Sequence, residues 1–199
     1  MDEIKKRILN KVRDLFFRKG FGKVTMDELA AELGMSKKTL YNHFSNKQEM
    51  LTEVIRDLKN DLTIGADRIM LDDTLSFTDK LSGIMSFLGQ TLGNMELDFL
   101  VDLKKSNPSL SKELENYKTE AVFNRFSNLL EEGIRKGYVR ADINKSMAVM
   151  LYASVVEMAA NPEYINKIPD HLKGDIPYHS AEIYKGLVEV MLNGILKEE

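Results

Sequence analysis

Apolar residues recur along this chain at the spacing of one helix face, and no stretch alternates apolar with polar residues over the length of a strand. Ile4, Ile8, Val12, Leu15 and Phe16 form one stripe over residues 2–19, with a Lys/Arg-rich face opposite, and Gly20 and Gly22 break it. Met26, Leu29, Ala30 and Leu33 mark a second helix, Leu40 and Phe44 a third, and Met50, Leu51, Val54, Ile55 and Leu58 a fourth over 47–64. Further helices are predicted over 75–94, 96–104, 109–136, 144–160 and 178–197. Residues 71–74 and the connector 137–142 read as loops. So does 161–177, which holds three of the four prolines, with a helical turn near 170–173. The fold class is all-α.

The region 25–51 has the sharpest local signals. Thr25 followed by Glu28 is a capping box, in which a hydroxyl takes an orphan N–H and a carboxylate reaches back. Gly34 ends that helix where a left-handed residue costs least. Ser36 caps the next helix, and Asn46 with Glu49 repeats the box, with Lys47 at the first helical position. Ala30 and Gly34 are small enough for two helices to cross closely. Two short helices joined by a tight turn, with a third starting at once, are the layout of a helix-turn-helix DNA reader. The expected division is a three-helix DNA-binding domain at 1–48 and a second helical domain at 49–199.

Charge follows the same division. The net charge of −3 hides 11 Lys/Arg against 7 Asp/Glu in residues 1–50 and 17 against 24 in the remainder. The basic part coincides with the reader, as contact with phosphates requires. The chain has no cysteine, which removes disulfides, thiolate catalysis and cysteine-ligated zinc. No catalytic constellation, cofactor motif or metal-ligand pair is legible: His43 stands alone on its helix, and His171 and His179 flank a loop. The charged N-terminus does not read as a signal peptide. The longest apolar run, residues 147–160, is short of the roughly 20 needed to span a bilayer. A soluble cytoplasmic protein with no membrane association is the expectation.

Residues 4–55 resemble the N-terminal domain of the TetR family of bacterial transcription regulators. The likeness rests on the amphipathic first helix, Gly20-Phe21-Gly22, Thr25, Ala30 with Gly34, and above all Ser36-Lys37-Lys38-Thr39-Leu40-Tyr41-Asn42-His43-Phe44 followed by Lys47. Leu29 and Met35 stand where the family commonly has β-branched residues, and Lys38 where it often has a small one. Thr25, Ser36, Lys37, Lys38, Thr39, Tyr41, Asn42, His43 and Lys47 are the expected DNA-binding residues. Polar side chains at the start of the second helix of such a motif meet base edges: lysine suits guanine, asparagine adenine, and threonine the thymine methyl. Tyr41 and Lys47 resemble the family's phosphate contacts.

The resemblance also implies a double-stranded DNA operator as partner, usually repression, a small-molecule effector held between C-terminal helices, and a homodimer, with ligand binding and dimerisation assigned to 49–199. Met85, Phe87, Phe99, Phe123, Phe126, Met150, Tyr152 and Glu157 are the candidate pocket residues, since methionine and aromatic side chains adapt to irregular spaces. Glu157, in an otherwise apolar helix, needs a Lys or Arg of its own chain, solvent at an interface rim, or a cationic or polar ligand. Helices apolar on more than one side need covering on more than one side. The last helix, with Tyr184, Leu187, Val188, Met191, Leu192 and Ile195, and helix 144–160 would then form a four-helix bundle across a two-fold axis. The alternatives are an all-α enzyme, or an adaptor whose helix-turn-helix does not read DNA.

Overall fold

The computed structural model describes residues 3–92, 95–160, 167–174, 176 and 180–195. In chain order the helices are α1 (Glu3–Lys19), α2 (Met26–Leu33), α3 (Lys37–His43), α4 (Lys47–Met70), α5 (Phe77–Leu92), α6 (Leu97–Ser106), α7 (Pro108–Lys136), α8 (Lys145–Ala160), α9 (Asp170–Lys173) and α10 (Ser180–Ile195). No strand occurs among the described residues, and none of their helices is long and apolar enough to cross a membrane.

Two compact units divide the chain, one made of Met1–Leu62 with Asn94–Asn116, the other of Thr63–Gly93 with Tyr117–Glu199. The first, the head, is built on α1. Ile8, Val12, Leu15 and Phe16 are fully buried, as their spacing predicts, together with Leu29, Leu40, Met50, Leu51 and Val54 of the next three helices. Ile4, expected on the same stripe, is half exposed at the start of the helix. The head extends beyond the 1–48 segment because α6 packs on α1. The Phe99 ring lies 4.8 Å from that of Phe17, and the Glu96 N–H donates to the Phe17 carbonyl at 2.8 Å. Phe99, expected in a C-terminal pocket, is instead fully buried in the head. Its helix follows α5 in sequence, and sequence order did not indicate which unit it joins.

The second unit, the body, encloses Phe77, Leu81, Phe126, Leu129, Leu130, Tyr152, Val155 and Met191. Phe126 and Tyr152 stack with ring centroids 4.0 Å apart, so these two candidate pocket residues are core. Helix α4 runs six residues past its predicted end at 64, through Gly65. Packing outweighs propensity here: a Cβ at Gly65 would meet the Phe87 ring at 2.1 Å, so only glycine admits that ring. Phe87, another candidate pocket residue, is therefore engaged in helix packing.

One polar node lies inside the body. Lys80 is 1% exposed. Its Nζ donates to the Met70 carbonyl at 2.8 Å, satisfying the end of α4, and to Glu132 Oε1 of α7 at 3.0 Å. Lys136, one turn on, donates to the same carboxylate at 2.8 Å. Lys136 first, and then Lys80, hold Glu132 below its usual value of 4.5. Glu132→Ala is expected to destabilise the protein by about 3 kcal/mol, since it leaves a buried ammonium without its counter-ion. Lys80→Met is expected to cost less, because Glu132 keeps Lys136. A carboxylate with a depressed value in the folded state contributes stability above its unfolded value and loses it as the pH falls through the folded one. Urea denaturation at pH 7 and pH 3 checks both points. The difference between wild type and Glu132→Gln is expected at pH 7 and should shrink at pH 3.

Candidate nucleic-acid interface

The reader's frame is set by caps. The Thr25 hydroxyl accepts the Glu28 N–H at 3.2 Å, and the Glu28 carboxylate, held below its usual value first by Lys19 and also by the Thr25 backbone, closes the box. Gly34, at φ +62°, turns the chain, and the Met35 N–H returns to the Ala30 carbonyl at 2.9 Å. The Ser36 hydroxyl accepts the Thr39 N–H at 3.0 Å. In the third cap, Asn46 Oδ1 accepts the Glu49 N–H at 2.8 Å while Glu49 Oε2 accepts the Ser45 N–H at 2.6 Å. That backbone hydrogen bond holds the Glu49 carboxyl below its usual value. Leu40 and Phe44 anchor α3 in the core, with the Lys5 ammonium 4.9 Å over the Phe44 ring.

Anchoring that side of α3 leaves the other side open. Ser36, Lys37, Lys38, Tyr41 and Asn42 are exposed, while Thr39 and His43 are half-buried. The Thr39 hydroxyl lies 2.8 Å from that of Ser36, within the cap. Lys37 Nζ sits 2.6 Å from Asp27 Oδ1 of α2. Thr25 is exposed at the N-cap of α2. The structure thus places seven of the nine expected DNA-binding residues on α3 or its N-cap Ser36, and an eighth, Thr25, at the N-cap of α2.

Lys47 is placed differently. Its Nζ donates to the Phe21 and Val24 carbonyls, each at 2.7 Å, and lies 4.2 Å from the centroid of the Phe21 ring. Burial pushes its ammonium below the usual 10.5, opposed by the nearby Asp102 carboxylate. The side chain expected at a phosphate is turned into the loop between α1 and α2. A lysine at a helix N-terminus beside a reader has the same appearance in sequence for either role. Asp102 of α6 also serves this loop, accepting the Gly22 N–H at 3.0 Å. No sequence signal marked Asp102, which stands 80 positions away from its partner.

The candidate pocket residues scatter. A groove of about 480 Å³ between α7 and α8 is lined by Val122, Phe123, Met150 and Val156, with Thr119, Ser154 and a Lys118–Glu157 ion pair among its polar groups. Phe123, Met150 and Glu157 are the expected residues that reach it. Glu157 takes the first of its three alternatives, a cation of its own chain. The Met85 side chain lies outside the described residues.

On α8 the inward side is buried, while Met147, Met150 and Leu151 stay at least half exposed. Helix α10 packs on α8 and α5. It buries Met191 in the core with Leu187 against it, and leaves Val190 75% exposed. The side chains of Tyr184, Val188, Leu192 and Ile195 lie outside the described residues, as does His179. No group of three or more His, Asp or Glu among the described residues forms a metal site.

The profile of the family described as bacterial regulatory proteins, tetR family, matches residues 8–54. The helix-turn-helix-type transcriptional regulator YvaF of Bacillus subtilis is 27% identical over 194 residues, covering 98% of this chain and 96% of that one. The transcriptional repressor KstR2 of Mycolicibacterium smegmatis is 22% identical over 140 residues, 69% of this chain and 68% of its own. In fold, the chain resembles the ketosteroid transcriptional regulator KstR2 of Mycobacterium tuberculosis, with a TM-score of 0.64, 20% identity, and coverage of 100% of this chain and 97% of that one.

The inward-facing Lys47 has a measurable consequence. Lys47→Ala removes two charge-assisted hydrogen bonds, to the Phe21 and Val24 carbonyls, and a cation–π contact. It is expected to lower stability by about 1–3 kcal/mol. Lys38→Ala, on the exposed side of α3, is expected to change stability by less than about 0.5 kcal/mol. Urea midpoints of the two variants make the comparison.

Proposed function

The chain belongs to the TetR family of bacterial transcriptional regulators, and we propose that it is a homodimeric repressor released from its operator by an amphipathic small molecule. The observation that carries the reading is the exposed side of α3, with Lys37, Lys38, Tyr41 and Asn42 held outward by three caps and a buried Leu40–Phe44 anchor. Such a helix fits a major groove: Lys37 and Asn42 at base edges, Thr39 toward a thymine methyl, and Tyr41 with the Thr25 and Ser36 caps near phosphates. Repression is supported by KstR2 of M. smegmatis, which is named a repressor.

A single reader makes too few contacts for tight, selective binding, so two heads on a pseudo-palindrome are required. The exposed apolar side of α8, together with α10, supports the body as the source of the dimer. The α7–α8 groove, lined mostly by apolar side chains with Thr119, Ser154 and the Lys118–Glu157 pair among them, suits a ligand with an apolar body and a polar end. If that ligand binds better to a dimer whose heads are spaced wrongly for DNA, it weakens DNA binding by the same factor. Helix α4, whose residues are divided between the two units, is the natural lever.

Leu151→Asp with Val190→Asp replaces two side chains exposed on the monomer, so the core is left intact. The double variant is expected to scatter light as a monomer. It should lose selective gel shifts of duplex fragments flanking its own gene, with an unchanged helical spectrum. Phe123→Ala is expected to keep DNA affinity while blunting release by an amphipathic effector. A wild type that is monomeric at micromolar concentration and still binds selectively would overturn the dimeric reading.

A further inference from the structure

Lys37 carries its charge at an unfavourable place. It is the first residue of α3, where the helix dipole is positive, and a cation there is destabilising. Asp27 sits in the first turn of α2, where a carboxylate is favoured, and its Oδ1 lies 2.6 Å from Lys37 Nζ. Both side chains are open to solvent, 76% for Asp27 and 48% for Lys37. An exposed pair of this kind contributes little to folding. It also places a negative charge beside a helix whose partner is a polyanion, which costs affinity for every duplex alike.

We propose that Asp27 is a specificity-determining residue: it holds the Lys37 ammonium at one position in front of α3 and penalises DNA that does not engage Lys37 through a base edge. The inference rests on Lys37 being a base reader. An unrestrained lysine is a flexible point charge that satisfies itself at any phosphate within reach. Tied to Asp27, its remaining N–H groups point in a restricted direction, toward guanine acceptors in the groove. The carboxylate, an acceptor only, repels a phosphate that approaches the same place. Discrimination then comes from an attractive contact with the right base pair and a repulsive one with everything else.

The test uses the intact protein and a randomised duplex pool, with the bound fraction sequenced for wild type, Asp27→Asn, Lys37→Ala and the double variant. Asp27→Asn keeps size and an acceptor oxygen and removes the charge. It is expected to bind random duplex more tightly and to steepen the salt dependence by about one unit. It should also lose roughly tenfold discrimination at the base pair per half-site that Lys37 reads. In the Lys37→Ala background, Asp27→Asn is expected to leave base preference unchanged. Equal effects of Asp27→Asn on base preference in both backgrounds, or none in either while Lys37→Ala still relaxes one position, would overturn the proposal and leave the DNA reading standing. A wild type that selects no sequence would overturn both.

Discussion

The loop between α1 and α2 leaves backbone groups that no helix satisfies, and buried amides and carbonyls do not go unpaired. Two side chains from distant parts of the chain meet that demand. Lys47, at the start of α4, gives its ammonium to the Phe21 and Val24 carbonyls, and Asp102 of α6 takes the Gly22 N–H. Gly20, at φ +83°, ends α1 and admits the turn, and the Phe21 ring covers the ammonium. Val24, fully buried, then leads directly into the Thr25 cap of α2. The direction in which α2 leaves the loop, and hence the placement of α3, depends on these few contacts. The head is therefore held by local polar bonds at its loop as well as by the apolar stripe of α1.

Much of this head was legible because its signals are local. A hydroxyl three residues from an amide, a glycine at a left-handed position and an apolar stripe on one helix are all decided within a turn or two of chain. The same reasoning recovers the boundaries of α2 and α3 and separates buried Leu40 and Phe44 from exposed Lys37, Lys38 and Asn42. It missed whatever depends on a partner far away. The direction of the Lys47 side chain is decided by carbonyls 23 and 26 residues earlier. Nothing local to Gly65 shows that the Phe87 ring packs against it, and Phe99 reads as a pocket residue until α6 is found on α1. Lys80, on an amphipathic helix, resembles a solvated lysine, and its burial follows only from the end of α4 and from Glu132 of α7 arriving together.

The body shows the same contrast between apolar packing and a few committed polar groups. Lys80 satisfies a helix end and a carboxylate at once, so the junction of α4, α5 and α7 is specified by polar geometry where an apolar contact would tolerate sliding. Helix α8, by comparison, buries one side and leaves methionines and a leucine on the other, a division that suits a surface meant to be covered. The candidate pocket residues sorted accordingly. The stacked Phe126–Tyr152 pair holds the core together, while Phe123 and Met150, on the outward sides of α7 and α8, border the groove of about 480 Å³.

The central claim is that α3 and its flanking caps form the surface that reads DNA. Amide hydrogen exchange of the intact protein, with and without a duplex selected from a randomised pool, tests it residue by residue. Added protection is expected in the head at residues 25–28 and 36–44, the start of α2 and the whole of α3, with Lys47 and its loop already protected in the free protein. Protection that left 36–44 unchanged and appeared instead along the outer sides of α7 and α8 would contradict the claim.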